Sequence, residues 1–584
     1  MLTRRHFTGG LLAGGVLAPS WAPSWAPSWA QAFTPAELTG ADRLFPAEAS
    51  GGMIASREAT ATQVGVNVLA AGGNAVDAAV AVAFALAVTL PQAGNIGGGG
   101  FALVHHPADR STHALDFREM APAAAHRDLF IGPDGEVDSE RSRYSHHAVG
   151  VPGSVAGYLD LLARFGSWPR QRVMAPAIRL AEEGIPVTRT LSRNIEQRMD
   201  RFRPWPATMA VIARPDGTAL QPGDVLRQPD LAASLRQISE QGAGAFYQGG
   251  IAELIAAEMA RHHGPITRED LARYHTVWRE PVFGSYRGVG IASMPPPSSG
   301  GAHLVQMLNI LEGWDLAALG HNSAATLHRM TEAMRRAYAD RAVHLGDPGF
   351  WDVPLEWIIS KAYGDALRAG IDLTRATPSK AVQPGSPKPE GANTTHLSVM
   401  DRKGGAVSMT TTLNFGFGSG IVAKGTGIFL NNEMDDFSAK PGVPNAYGLI
   451  GGEANAVAAH KRPLSSMTPT LLLADGRAVG ALGSPDGSRI ITTVLQLILN
   501  LVDHGMNLAE ATVAARVHHQ WQPDRLWVEE GISPDTAAML AAMGHNVEVG
   551  RAFGAAQSVL SAPDGFRGMT DPRRPGGLAA GPDL

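Results

Sequence analysis

The sequence predicts an α+β protein, with helices gathered before residue 394 and strands after it. Three observations carry that reading. Apolar residues recur at helical spacing, or run unbroken over helical lengths, at 59–71, 75–90, 155–165, 174–183, 251–262 and 324–345. From Leu397 the pattern changes to short apolar or alternating stretches between tight turns, at 397–401, 406–413, 427–430, 469–473 and 478–482, with a further helix at 490–502. Between the halves lies Gln383-Pro384-Gly385-Ser386-Pro387-Lys388-Pro389-Glu390-Gly391, which reads as an exposed loop and the natural divide of the chain.

The chain opens on Thr3-Arg4-Arg5-His6-Phe7-Thr8, a twin-arginine pattern, followed by a short, mildly apolar stretch at 9–18. Ala30-Gln31-Ala32 offers the small residues a signal peptidase reads, and the Ala-Pro-Ser-Trp repeats ending at Trp21, Trp25 and Trp29 read as a spacer. Residues 1–32 are therefore expected to be an export signal, with the mature protein reaching the periplasm by the twin-arginine route. The helix at 59–71 stops at Gly72-Gly73, and Asn74 is placed to cap the next one. That second helix, 75–90, is almost wholly apolar. It contains Asp77 and falls short of the ~20 residues a membrane span needs, so it reads as buried in a protein core. Pro91 ends it, and the glycine-rich run 94–100 leads into an apolar strand at 101–105. Pro295-Pro296-Pro297-Ser298-Ser299-Gly300-Gly301 reads as a rigid turn between later helices.

With 584 residues, 44% of them hydrophobic and 18% charged, the composition is that of a globular chain with a sizeable core. A net charge of -5 and the lack of any basic stripe argue against a nucleic-acid partner. The chain has no cysteine, which excludes disulfides, thiolate metal sites and a cysteine nucleophile. The pairs His105-His106, His146-His147 and His518-His519 do not chelate as units, because neighbours on a strand face opposite sides. No metal and no other cofactor is expected.

The chemistry gathers around Asn393-Thr394-Thr395-His396-Leu397-Ser398-Val399-Met400-Asp401, where the loop enters a strand. A threonine hydroxyl is a poor nucleophile and needs a base. Cleavage between Asn393 and Thr394 would supply one on the same residue, an α-amine with a pKa of ~7.7–8.0. Arg402-Lys403-Gly404-Gly405 signals a hairpin turn, and folding about it sets Thr395 roughly opposite Thr412. The Thr412 hydroxyl would then lie within reach of Thr394. Gly483-Ser484-Pro485-Asp486-Gly487-Ser488 lies between a strand and a helix, where backbone N–H groups can hold an oxyanion. Each segment alone also fits a plain structural role: a strand start, an ordinary Gly/Pro turn.

Taken together the segments resemble the γ-glutamyltransferase (glutathione hydrolase) family of N-terminal-nucleophile hydrolases. The resemblance is carried by Asp116-Phe117-Arg118-Glu119-Met120-Ala121-Pro122, the run 393–401, Asn431-Asn432-Glu433-Met434-Asp435-Asp436-Phe437-Ser438 and Lys461-Arg462-Pro463-Leu464-Ser465-Ser466-Met467. It extends from about Gly51 to the C-terminus. It implies a four-layer αββα sandwich made as a precursor, with a large subunit, 33–393, and a small catalytic subunit, 394–584, forming a heterodimer after self-cleavage. Thr394 would then attack glutathione or another γ-glutamyl compound, and the acyl group would pass to water or to an amino acid or dipeptide.

The implied roles suit a zwitterionic substrate. Arg118 can fork onto the α-carboxylate, with Ser465 and Ser466 adding hydroxyl bonds. Glu433, Asp436 and Asn414 are placed for the α-ammonium, and Thr412 would orient Thr394. The N–H groups of Asp486 and Gly487 would hold the oxyanion, and Tyr447 would close a lid. Alone, Arg118-Glu119 also fits a surface ion pair, the acids at 433–436 a solvated turn or weak cation site, and the lid segment a surface loop. One departure stands out: the family pattern places Gly-Gly where this chain has Asp486-Gly487. The Asp486 side chain is expected to turn outward, away from the oxyanion. The alternatives are a glutaryl-type acylase of the same superfamily and an unprocessed periplasmic binding protein.

Overall fold

The computed structural model describes residues 37–39, 42–382, 394–440 and 452–583; the expected export signal, Asn393 and Tyr447 lie outside the described residues. Two seven-stranded sheets form its centre. One runs in the order Leu578–Ala580, Gly52–Ser56, Thr394–Asp401, Ala406–Thr412, Gly99–His106, Ser111–Phe117 and Val277–Arg279. The other runs Ala47–Ala49, Gly565–Thr570, Gln557–Ala562, Arg477–Gly483, Thr470–Ala474, Val289–Ser293 and Val282–Tyr286. Every pairing within these two sheets is antiparallel.

Side-chain alternation assigns the layers. In Thr394–Asp401, Leu397 and Val399 join a core with the helices Ala59–Ala70, Ala75–Thr89 and Ser154–Phe165. Met400 points the other way and packs with Leu471, Ala481 and Val559 of the second sheet. The far face of that sheet, including Leu472, Leu482 and Leu560, packs on the helices Gly300–Leu311, Ala324–His344 and Arg489–Val502. Helix, sheet, sheet and helix thus make the αββα sandwich.

Local chemistry explains the key elements. The helix Ala75–Thr89 is buried throughout and starts on a capping box, with Asn74 accepting from the Val76 and Asp77 N–H groups and Asp77 accepting from Asn74 N–H. The glycine run then brings its strand close to the neighbours: a Cβ at Gly98 would overlap the Thr412 carbonyl oxygen. Among the described residues no helix is long and apolar enough to cross a membrane.

Candidate active site

Thr394 is the first residue of its strand and pairs directly with Thr412. The expected pairing of Thr395 with Thr412 is therefore off by one. The turn explains the shift: Asp401 N–H donates to the Gly405 carbonyl, leaving Arg402, Lys403 and Gly404 in the loop, with Gly404 at φ +91°. A three-residue hairpin loop with glycine in the left-handed region takes the place of a turn centred on Arg402-Lys403-Gly404-Gly405.

The period-2 alternation puts Thr394, His396 and Ser398 on the face between the sheets, opposite Thr412, Thr410 and Ser408. The Thr394 and Thr412 hydroxyls are 3.5 Å apart. Thr412 Oγ1 also accepts from the Asn414 N–H at 2.8 Å. Ser398 donates to the Gln557 carbonyl and Ser408 to the Leu482 carbonyl, tying the sheets together. The His396 ring fills the space a side chain at Gly483 would need. Its burial pushes the imidazole down to about 3, so it is neutral there.

Gly483 ends the strand that leads into the Ser484–Ser488 turn of the second sheet. Asp486 sits at φ +116° and Gly487 at φ +57°, so a non-glycine residue holds a conformation that favours glycine. The Asp486 carboxylate is buried in protein rather than open to solvent: it accepts from the Gly554 N–H at 2.8 Å and from Arg574 at 2.7 Å. Burial works against its ionisation, but Arg574, the Gly554 N–H and Arg489 outweigh that and hold its pKa below the usual value. Among the described residues no protein acceptor takes the Asp486 or Gly487 N–H. Arg57 donates to the Thr394 carbonyl at 3.2 Å and feels both Arg574 and Asp486. Burial first, then Arg574, pushes its guanidinium down to about 9.

Arg118, Glu433 and Asp436 come together as one ionic group. Arg118 is 1% exposed; one nitrogen contacts Glu433 and another meets Asp436 at 2.5 Å. Glu119 lies 3.7 Å from the same guanidinium. The fork expected to face a substrate carboxylate is thus closed onto the acids, and its Nε donates to the Pro463 carbonyl at 3.2 Å. Both oxygens of Glu119 and Oε2 of Glu433 are buried without a hydrogen bond among the described residues. Burial raises Glu433 well above the carboxylate range and Glu119 to about 7, although Arg118 opposes both shifts. The group lies close to the threonines. A side chain at Gly99 would meet Glu119, and Gly99 pairs with Thr412, which pairs with Thr394. Two strand spacings separate them, roughly 10 Å.

The remaining predicted residues have local partners. Asn414, at φ +71°, donates to the Asn432 carbonyl at 2.9 Å. Ser465 Oγ accepts from the Met467 N–H, and Ser466 Oγ accepts from Arg341 at 3.1 Å. Sequence reasoning missed Arg57, Arg341 and Arg574; each meets its partner across a long sequence separation, with no local motif to mark it.

Two of the histidine pairs separate, His105-His106 within a strand and His518-His519 at the end of one. His105 meets Thr112 while His106 meets Asp109, and His518 meets Thr492 while His519 meets Asp524. His146-His147 instead lies in a short 3₁₀ turn, with His146 grouped with Glu258 and His262. The His146 and His262 rings stack at 15°, an arrangement in which one ion cannot lie in both ring planes. In the second such group, His328, Glu332 and His545, Arg335 and Arg336 occupy the Glu332 carboxylate.

The γ-glutamyltranspeptidase family model matches residues 61–581. The chain belongs to this family. It is 52% identical to a glutathione hydrolase proenzyme of Escherichia coli K12, over 92% of this chain and 93% of the relative. It is 40% identical to the acylase ACY 1 proenzyme of Pseudomonas sp. SE83, over 89% and 91%. Its fold superimposes on a cephalosporin acylase from Bacillus halodurans with a TM-score of 0.83 at 31% identity, covering 94% of this chain and 99% of that one.

Proposed function

We propose that this protein is an autoprocessing γ-glutamyltransferase and glutathione hydrolase that uses Thr394 twice. In the precursor the Thr394 hydroxyl attacks the Asn393 carbonyl. The peptide bond shifts to an ester, and water releases 33–393 and 394–584 as two subunits. The freed α-amine then takes the hydroxyl proton as Thr394 attacks the γ-carbonyl of a γ-glutamyl compound. The Asp486 and Gly487 N–H groups stabilise the oxyanion, with Thr412 holding the nucleophile. Collapse of the intermediate passes the proton to the leaving amine. Water or an acceptor amine then attacks the acyl-enzyme and restores Thr394.

The observation that carries the substrate class is the imbalance around Arg118: three carboxylates surround one guanidinium, and three of their oxygens are buried without a donor. Such a group is completed by an incoming cation, and the α-ammonium of a γ-glutamyl donor is one. The donor's α-carboxylate would in turn draw Arg118 from the acids, with Ser465 and Ser466 beside it, while Asn414 holds the ammonium end. A glutaryl group has the carboxylate but no ammonium, so a glutaryl acylase would leave this charge uncompensated. An unprocessed binding protein has no use for the paired threonines. The closing role of Tyr447 and export by the twin-arginine signal to the periplasm complete the proposal.

Two measurements test it. Intact-mass analysis of the wild type is expected to give two polypeptides meeting at Asn393/Thr394, and Thr394→Ala one uncut chain without turnover. A γ-glutamyl anilide is expected to be cleaved at least ~100-fold faster than a glutaryl anilide, in line with the cost of an unpaired buried charge. Equal rates would favour the acylase reading, and an uncut wild type the binding protein.

A further inference from the structure

An open cleft of about 760 Å³ lies where the chain leaves Asn414. Phe415 and Gly416 form one wall, Glu140 and Tyr144 another, and Arg198 and Arg201 a third. The cleft is joined to the reaction centre by short connections. Arg201 donates to the Gly416 carbonyl at 2.5 Å, Phe415 N–H donates to Asn432, and Asn414 N–H donates to Thr412. The short helix Ser139–Tyr144 separates it from the acids at 433–436: Ser142 and Arg143 contact Asp435, while Glu140 and Tyr144 face the cleft.

Its charge is unlike that of the Arg118 group. Among the described residues neither Arg198 nor Arg201 has a carboxylate partner within ion-pair distance. Arg198 donates only to Asn194, through one nitrogen. Arg201 lies over the Tyr144 ring at 5.0 Å, and its Nε is buried with no acceptor. Of the two acids lining the cleft, Asp200 is fully exposed and lies 3.5 Å from Arg203, and Glu140 is exposed on its helix. Burial and mutual repulsion lower Arg201 to about 10, the opposite of what a bound carboxylate would do. Arg198, whose Nε and second terminal nitrogen have no hydrogen-bond partner among the described residues, and Arg201, with its remaining terminal nitrogen, form a carboxylate-binding wall beside the aromatic rings of Tyr144 and Phe415.

We infer that this cleft binds the carboxylate of the amino acid or peptide whose amine leaves the γ-glutamyl group, and equally that of the acceptor that replaces it. The inference rests on the reaction proposed above. Leaving and attacking amines occupy the same position by microscopic reversibility, so one site serves both. An extended dipeptide carries its carboxylate roughly 7 Å from its amine, so a site for that carboxylate lies beside the nucleophile rather than on it. The γ-glutamyl half stays with the Arg118 group, and the cleft selects what is attached to it.

The test compares donors that differ only at the far end. Processed enzyme is assayed with glutathione, with its C-terminal amide and with a γ-glutamyl anilide that carries no leaving-group carboxylate. Wild type is expected to prefer the acid over the amide about tenfold in kcat/KM, as a charge-assisted bond should give. Arg198→Gln combined with Arg201→Gln is expected to abolish that preference and to lower the glutathione-to-anilide ratio about tenfold. Arg198→Gln alone, which leaves the Arg201–Gly416 bond in place, is expected to give a partial loss and guards against misfolding of the double variant. In a second arm, with the anilide as donor, glycylglycine is compared with its amide as acceptor, and the same loss is expected. An acid-over-amide ratio that stays at its wild-type value in the double variant overturns the inference, and loss in the donor arm alone overturns its acceptor half. A wild type inactive on every γ-glutamyl donor defeats the proposed reaction itself.

Discussion

The two buried ionic groups beside Thr394 are unbalanced in opposite senses. On one side Asp486 stands between Arg574 and Arg57, and the next acid, Asp571, is already held by Arg516 and Arg573. On the other side Arg118 stands among Glu119, Glu433 and Asp436. The first group has a surplus of positive charge that keeps its acid ionised against burial; in the second, with its surplus of negative charge, burial comes first and the neighbouring acids add to it, raising Glu119 and Glu433 toward the neutral form. In a low-dielectric interior neither surplus is neutralised by water. Each is matched to a charge that the proposed reaction brings: an oxyanion developing near the first and an ammonium arriving at the second. On the proposed reaction, the incomplete pairing in each group is what its incoming charge would complete.

Removing Arg118, among the described residues the only cation of the acidic group, tests the comparison hardest. Arg118→Met is expected to lower kcat/KM on γ-glutamyl anilide about a hundredfold or more and to destabilise the fold by about 3–5 kcal/mol, because the buried Glu119 and Glu433 and the half-buried Asp436 lose their common partner. Urea unfolding and steady-state kinetics measure the two effects. A variant as stable as wild type would show that the acids had already been neutralised by protonation.

The basic group is expected to respond less in stability and more selectively in turnover. Arg574→Met leaves the Gly554 N–H as the one hydrogen-bond donor to the Asp486 carboxylate among the described residues, with Arg489 and Arg57 acting on it only at longer range, beside the donors proposed for the oxyanion. A fall in kcat of about 10–100-fold with little change in KM is expected, somewhat below the loss of a whole oxyanion donor. Adding Asp486→Gly to Arg574→Met removes the uncompensated charge and the strained φ, and is expected to recover most of the lost turnover. A double variant as slow as Arg574→Met would show that Arg574 supports the turn in another way.

These groups also mark where sequence reading reached and where it stopped. The helix over 75–90 and its Asn74 cap were legible because the signal is local: an apolar run, a capping residue and a proline stop. The pairing of Thr394 with Thr412 was nearly legible, since both strands alternate and a turn lies between them. It missed by one because the loop length depends on Gly404 taking a left-handed φ, which composition does not reveal. The strands Gly52–Ser56, Gln557–Ala562 and Gly565–Thr570 went unread. They are short, and their pairing is set by partners far along the chain. Arg57, Arg341 and Arg574 were invisible for the same reason. An isolated arginine acquires meaning only when the fold brings Thr394, Ser466 or Asp486 to it.

The smallest expected effect separates the two groups by pH. Glu119 titrates near 7 in the folded protein, above the 4.5 of a free carboxyl, chiefly through burial. Between those values the folded state holds a proton that the unfolded chain has lost, so stability falls as pH rises from about 4.5 to 7. Glu119→Gln keeps the shape and removes the titration. It is expected to flatten that part of the stability profile by about 1–3 kcal/mol relative to wild type, as measured by urea unfolding across the range. Asp486 has the opposite sign: its pKa is depressed, so its contribution is complete above the unfolded value and is lost as pH falls through the folded one. Asp486→Asn should therefore change the profile only on the acid side of the ordinary carboxylate pKa. If both variants altered the same limb, the two groups would not differ in charge balance, and the opposed demands assigned to them would be wrong.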